Sequence, residues 1–491
     1  MTDSRHGKGR LRVLIAIASY GEKNLRFLKE IIQKYRNMTF NVDVVVVSEA
    51  PKDLGHDTRV VVGLPAKNPW SLPFAHKAIF AENADRFDLF IYSEDDMDVT
   101  EENIQAFVRA SAALKPDQIA GYLRYETGQD GAKVLTDVHG NFHWQPESAA
   151  HSGGYTVAEF TNEHAAFYIL TQSQLKRAIA SGGFLRDPYE GRYDMLCSAA
   201  TDPYTSCGFH KVICVSVLES FLIRHMSNLY VSRHGISLAE FQQQVQALLK
   251  IADGVHPRST LGPVEPKVFQ PLYSKSFYEK PREDILRMVP GDARSILSIG
   301  CGWGAVEAEL QHRGVKVTAL PLDSVIGVAA GRLGLEVVNG SLTECLDALG
   351  ERRFDCVLIS DLLHLQENPA HFLERCSRFV TQGGAFVIGG PNFNRAPNLV
   401  KRVLGVDGHQ RLRSYEESGI SLCGPATVAG HLKSAGFCVR DVRWLSHALP
   451  GKRLGRCRIS LGSLTAKEWV VRARRIRPAG TSVQSPDPSG Q

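Results

Sequence analysis

Ile296-Leu-Ser-Ile-Gly-Cys-Gly-Trp-Gly304 decides the fold of the C-terminal half of this chain. Ile296, Leu297 and Ile299 read as a strand buried on both faces, and the run stops at Gly300, Gly302 and Gly304. Residues 305–313 follow at once with helical spacing. A strand that turns through glycines into a helix leaves backbone amides bare, because no Cβ blocks the approach of a ligand. The ligand class that suits such a turn is a nucleoside or nucleotide. Working outward, apolar runs at 315–320, 354–360 and 385–388 alternate with helical segments, as in a doubly wound α/β domain.

At 491 residues the chain exceeds what one hydrophobic core usually serves, which predicts two domains and a joint. Apolar residues make up 43% and charged residues 22%, the balance of a globular protein. A net charge of +5 is small for this length and calls for no nucleic-acid partner. Much of the basic excess lies near the ends, in Arg5-His-Gly-Lys-Gly-Arg-Leu-Arg12 and Arg472-Ala-Arg-Arg-Ile-Arg477. Solvated tails are the plain reading of such runs, and weak attraction to an anionic membrane surface is the functional one. The ten cysteines show no Cys-x-x-Cys pair, which argues for a reduced compartment and against a zinc module. No apolar run reaches the length of a membrane span, and 13–18 is too short for a secretion signal. The expectation is a cytoplasmic protein, with the inner face of the membrane as the place of any peripheral association.

The N-terminal portion also alternates strands with helices. Strands are predicted at 13–18, 42–47, 59–62 and 87–92, and a helix at 24–35 with Leu25, Leu28, Ile31 and Ile32 on one side. Past Gly121 the pattern turns irregular, as loops around a site often are. Residues 232–277, with one polar helix at 239–251 and then a Pro-rich stretch, read as the joint. The predicted organisation is thus two doubly wound α/β domains, 10–231 and 278–475, with a Pro-, Ser- and Gly-rich disordered tail at 476–491.

In the C-terminal portion the glycine turn is followed by Phe354-Asp-Cys-Val-Leu-Ile-Ser360, then Asp361-Leu-Leu-His364, a Gly383-Gly384 turn and Pro391-Asn392. This order resembles the class I S-adenosylmethionine-dependent methyltransferases, over about 200 residues. The resemblance implies that Gly300, Gly302 and Gly304 face the amino-acid part of the cofactor, and that Asn339-Gly-Ser341 passes near the adenine. Two positions depart from the family pattern. Ser298 stands where an acidic residue is usual, two before the first glycine, and Pro321 stands where an acid usually binds the ribose hydroxyls. Asp323, two residues later, either takes over the ribose or merely caps the next helix. A hydroxyl acceptor benefits from a base, and His364 is the candidate, the plainer alternative being a histidine packed against the neighbouring loop.

In the N-terminal portion the predicted strand at 87–92 runs into Ser93-Glu94-Asp95-Asp96-Met97-Asp98. Crowded acids at a strand's carboxyl end repel one another unless they are solvated or bridged by a cation, and a divalent metal carrying phosphates is one reason to tolerate them. A solvated turn that caps the helix near Thr100 is the other reading. Together with Ala18-Ser-Tyr20-Gly21 and Ser48-Glu49-Ala-Pro51, the acids resemble those of GT-A-fold glycosyltransferases, over roughly residues 10–231. That resemblance implies Mn²⁺ or Mg²⁺ held by Glu94, Asp95 and Asp96 with His225 as a further ligand. It also implies Tyr20 and Glu49 near the nucleobase and ribose of a nucleotide-sugar donor, and Lys67, His76 or Lys77 near the diphosphate. Glu163, Glu190 and Asp194 are unranked candidates for the base of an inverting enzyme, and a retaining enzyme would have none.

Taken together, the two resemblances imply a bifunctional enzyme of surface-polysaccharide or glycolipid assembly, which adds a sugar to a glycan or glycolipid acceptor and O-methylates the product. The alternative is a methyltransferase whose N-terminal domain binds glycan without catalysis.

Overall fold

The computed structural model describes residues 10–268, 270–405, 411–445 and 462–476. Two compact units emerge from the described residues: residues up to 260 with 276–278 and 323–329, and the remainder of the second half.

The core of the first unit is a five-stranded sheet in the order Phe167–Thr171, Leu89–Glu94, Arg12–Ala18, Asn41–Ser48, Arg59–Val62. The last four of these strands are parallel, and Phe167–Thr171 runs against its neighbour. Val13, Ile15, Ala16 and Ile17 are fully enclosed, which is why the first strand reads as an unbroken apolar run. Helix Leu25–Arg36 buries Leu28, Ile31, Ile32 and Tyr35. Along this sheet the chain moves outward in one direction through Asn41–Ser48 and Arg59–Val62, then returns to the other side of Arg12–Ala18 with Leu89–Glu94. Such a switch point opens a crevice beyond the carboxyl ends of the two diverging strands, where α/β sheets hold ligands. The two loops that flank it begin at Ser19 and at Asp95.

Short strands that the sequence does not announce complete this unit. One small sheet pairs Met97–Asp98 with Leu222–His225, and Leu222–His225 with Leu123–Thr127. That pairing brings two distant stretches of chain, Leu222–His225 and Leu123–Thr127, to the acidic turn.

Residues 232–260 differ from the expected joint. Ile236–Ser237 pairs with Lys133–Leu135, and helix Leu238–Ala252 buries Phe241, Val245, Leu248 and Ile251 within the first unit. Its i, i+4, i+7, i+10 spacing is an apolar stripe that three consecutive glutamines (Gln242 to Gln244) disguise.

The second unit carries a seven-stranded sheet in the order Glu336–Val337, Lys316–Pro321, Ser295–Cys301, Phe354–Ser360, Val380–Pro391, Glu468–Arg475, Phe437–Leu445. The first five are parallel and the last two antiparallel. This is a Rossmann-like sheet of the class I methyltransferase type, with its switch point at Ser295–Cys301. Ile296, Leu297 and Ile299 are buried there, each worth roughly 1.5–3 kcal/mol against exposure.

The expectation of a solvated basic tail after residue 471 is corrected. Arg472, Arg474 and Arg475 lie in the second strand from the edge, where Arg472 pairs with Asp441, Arg474 with Asp292, and Arg475 donates to the carbonyl of Val380. The other basic run, up to residue 9, and the tail from 477 onward lie outside the described residues.

Candidate functional sites

In the second unit Gly300 and Gly304 have φ of +79° and +91°, left-handed backbone that a side chain resists. A Cβ on Gly300 would come within 2.7 Å of Leu362 Cδ2, so the turn is packed as well as bent. Gly304 is the N-cap of helix Ala305–His312, whose first amides face the end of the strand. Trp303 Nε1 donates to the carbonyl of Glu279 at 2.6 Å, which ties Glu279 to the turn. Lys275 is 1% exposed and bonds Glu279 at 3.2 Å. Arg282 gathers Asp361 at 2.9 Å, Asp284 at 2.6 Å and Glu468 at 2.7 Å. Asp361, directly after Phe354–Ser360, has φ of +51°, a conformation that needs such anchoring in a non-glycine residue.

The ribose role implied for Asp323 is not what its contacts show. Its Oδ1 accepts from the amides of Val325 and Ile326 at 2.8 and 2.7 Å, so it caps the turn before Gly327–Arg332. Burial raises its carboxyl to about 7. Ser341 likewise closes a capping box with Glu344 at the start of Leu342–Leu349, and the adenine contact implied for it finds no free hydroxyl. His364 is 2% exposed; its Nε2 bonds the carbonyl of Tyr273 at 2.7 Å, and its Nδ1 has no partner. A carbonyl can only accept, so the proton sits on Nε2 and Nδ1 keeps a lone pair. Burial lowers the histidine's pKa, which keeps it neutral.

In the first unit His225, which the sequence points to, meets the acidic turn together with Asn24 and Glu126, which it does not point to. His225 Nε2 lies 3.1 Å from Asp96 Oδ2, and its Nδ1 lies 2.6 Å from Glu126 Oε1. Asn24 donates to Asp95 at 2.8 Å and to Asp96 at 3.3 Å. Burial opposes ionisation of Asp96, but the hydrogen bond and charge of His225 outweigh it and hold the carboxyl below its ordinary value. Burial likewise opposes a charged His225, and Asp96 outweighs it in turn, so the imidazole is raised. Glu94 differs: burial, with the charge of Asp96 added, pushes its carboxyl up to about 8.

The four-ligand metal set is therefore corrected. Among the described residues no group of three or more His, Cys, Asp or Glu side chains is arranged to hold a metal ion. Glu94 has an unpartnered, enclosed oxygen, and Asp95 is engaged by Asn24. Asp96 and His225 bond each other, and the Glu126 carboxylate holds the other ring nitrogen, so both nitrogens of His225 are engaged within the protein.

Other expected roles also move. His76 is fully buried, bonded at 2.5 Å to both the carbonyl of Pro73 and the hydroxyl of Tyr168, and stacked on Tyr92 at 4.3 Å. Lys77 is buried against Asp202. Neither reaches a crevice, and both belong to the core. Glu49 accepts from the Gly21 amide at 2.9 Å and from Ser48 Oγ at 3.2 Å, so it shapes the loop after the first strand. Tyr20 on that loop is 57% exposed. Glu163 is bound by Arg192 at 2.9 Å and by Tyr193 at 2.5 Å, which leaves it little capacity as a base. Asp194 caps helix Met195–Thr205 through the Cys197 amide at 2.8 Å. Glu190 is exposed.

Three histidines of the first unit carry a pH prediction. Burial lowers His139 and His143 to about 4 and His164 to about 3, the charge of Arg124 adding to the last. Above pH 6.5 these groups are neutral in both folded and unfolded chains. Below it the unfolded chain binds protons that the folded one refuses, so stability falls as pH drops through about 4. Urea midpoints at fixed ionic strength should decline steeply from pH 6.5 to 4, and replacing His164 with glutamine should shallow the slope.

Residues 297–388 match the family profile described as "Methyltransferase domain". Among curated proteins, the "Ubiquinone biosynthesis O-methyltransferase" of Xylella fastidiosa (strain 9a5c) is 27% identical over 168 residues, 32% of this chain and 66% of that protein. The protein of the same name from Methylobacterium nodulans is 31% identical over 168 residues, 32% of this chain and 65% of its own. The chain thus spans less than two thirds of these relatives. Among solved structures, a SAM-dependent methyltransferase from Archaeoglobus fulgidus is 18% identical with a TM-score of 0.28, covering 38% of this chain and 87% of that one. An O-methyltransferase family protein from Burkholderia thailandensis is 18% identical with a TM-score of 0.29, covering 39% and 54%.

Proposed function

We propose that this chain is an O-methyltransferase whose C-terminal unit takes the methyl group from S-adenosylmethionine, and whose N-terminal unit binds a saccharide-bearing partner of the reaction. The observation that carries this reading is the glycine turn, two left-handed glycines at the switch point of a Rossmann-like sheet, inside the segment that matches the methyltransferase profile. When bound, S-adenosylmethionine supplies an activated methyl group on a sulfonium leaving group. The protein's part is placement of the acceptor and removal of its proton. His364 is the candidate for the second task, with Nε2–H fixed on a carbonyl and Nδ1 keeping a lone pair, although burial lowers its pKa.

The names of the curated relatives support a hydroxyl acceptor on an apolar carrier. So does helix Ala396–Leu404, which exposes Val400, Val403 (85%) and Leu404 on one side with Lys401 beside them. An apolar stripe flanked by cationic residues suits an acceptor delivered from an anionic lipid surface. No helix among the described residues is long and apolar enough to cross a membrane.

Sugar transfer by the N-terminal unit is the second reading, and the Glu126–His225–Asp96 chain at the switch point favours it. Asp96 and His225 would hold a divalent ion that offsets the charge of a nucleotide-sugar diphosphate.

Incubating the full chain with methyl-labelled S-adenosylmethionine and a bacterial glycolipid extract should place label in a base-stable ether. Label confined to nitrogen or carboxyl acceptors would overturn O-transfer. Thermal shifts separate the two readings of the N-terminal unit, since a ligand stabilises only by binding the folded state. Sugar transfer predicts stabilisation by a nucleotide sugar that requires Mn²⁺ and disappears in His225→Ala. Saccharide binding without transfer predicts stabilisation by glycan alone, indifferent to Mn²⁺.

A further inference from the structure

The acid expected two residues before the first glycine is absent, yet the structure supplies a carboxylate at the same place from another element. Ser298 Oγ donates to Glu307 Oε1 at 2.6 Å, which holds the Glu307 side chain against the strand beneath the glycine turn. Glu307 lies in the first turn of Ala305–His312 and is 3% exposed, and its Oε2 has no hydrogen-bond partner. An enclosed carboxyl oxygen left unpaired forfeits its hydration without a replacement, so it calls for a donor that arrives with a ligand.

The complementary charge is also present. Lys275, which bonds Glu279 beside the turn, is 1% exposed. Burial opposes its charge, but Glu279, Asp361 and Glu307 lie close enough to outweigh that and keep it protonated. An ammonium carries three donors, and the one hydrogen bond that Lys275 makes, to Glu279, occupies only one of them. Burial raises the Glu307 carboxyl, while the Ser298 hydrogen bond and the Lys275 charge pull it back. A buried carboxyl and a buried ammonium within electrostatic reach of each other match a zwitterion better than a singly charged group.

We infer that Glu307 and Lys275 form a clamp for the α-amino-acid end of S-adenosylmethionine, Glu307 Oε2 receiving the ammonium and Lys275 Nζ the carboxylate. The inference rests on the reading of this crevice as the methyl-donor site. It adds two residues that the glycine motif does not predict, one of them outside the segment matched by the methyltransferase profile. Ser298 is a positioning residue that acts through Glu307.

The test uses the full chain and two ligands that share the adenosine part. S-adenosylhomocysteine carries the amino-acid zwitterion, and 5′-methylthioadenosine lacks it. Glu307→Gln and Lys275→Met should each weaken S-adenosylhomocysteine by at least about tenfold in calorimetric titration, and should change methylthioadenosine by less than about twofold. On the unaltered protein, decarboxylated S-adenosylmethionine should bind at least about tenfold more weakly than S-adenosylmethionine, a measurement that needs no variant to fold. Equal loss of both adenosine ligands in the variants would mean that the pair is only structural. Unchanged S-adenosylhomocysteine affinity, or equal binding of the decarboxylated compound, would overturn the clamp. Failure of the unaltered protein to bind any of these ligands would instead overturn the methyl-donor reading itself.

Discussion

Gly300→Val should abolish measurable binding of S-adenosylmethionine and lower the stability of the second unit by about 3–4 kcal/mol. A β-branched residue at φ of +79° forfeits the left-handed conformation that the turn requires, on the order of 1–3 kcal/mol. Its Cβ would also fall 2.7 Å from Leu362 Cδ2, and Leu362 is 2% exposed with little room to withdraw. Overpacking of that kind adds about 1–3 kcal/mol. The turn that relieves both strains no longer presents its amides to the ligand, so binding is lost even where the unit stays folded. Denaturant titration and calorimetry on the same sample check the two effects separately. An unaltered affinity would show that the ligand lies elsewhere.

The second large effect lies in the first unit. Arg124 bonds Asp137 at 2.7 Å through both side chain and backbone, and the Asp137 carboxylate is fully enclosed. Arg124→Met keeps most of the volume but strands that carboxylate, which costs about 3–5 kcal/mol. Arg124 also lies within electrostatic reach of Glu94 and His225, and its charge lowers the carboxyl of Glu94. The unfolding midpoint of the first unit should therefore drop sharply, and replacing Asp137 by asparagine in the same chain should restore part of the loss. A variant as stable as the parent would mean that the pair contributes nothing net.

What the sequence made legible follows from how local each signal is. The strand Phe354–Ser360 is legible to the residue, because Cys356 to Ile359, buried on both faces, form a continuous apolar run inside it. The glycine turn was legible for the same reason, since strand, glycines and helix are consecutive. Glu126 and Arg124 gave no such signal. They reach the acidic turn only because Leu123–Thr127 pairs with Leu222–His225, about a hundred residues later in the chain, through strands too short to show a period. Glu307 was hidden for a related reason: its role depends on where its carboxyl points, toward Ser298, and helical spacing cannot reveal that.

The misassigned residues share a cause of the opposite kind. His76 and Lys77 are polar residues that invite a ligand role, yet both sit in the core, satisfied by Tyr168 and Asp202. Arg472 to Arg475 look like a solvated tail until antiparallel pairing brings Asp441 alongside Arg472, and the loop before Ser295–Cys301 brings Asp292 to Arg474. Charge in a sequence says little about exposure when the neutralising partner is distant.

Titration of the full chain with S-adenosylmethionine in a calorimeter tests the central claim most directly. The account predicts one saturable site per chain with a dissociation constant roughly in the micromolar range, and competition by S-adenosylhomocysteine. No heat of binding and no shift in Tm at millimolar ligand would contradict it.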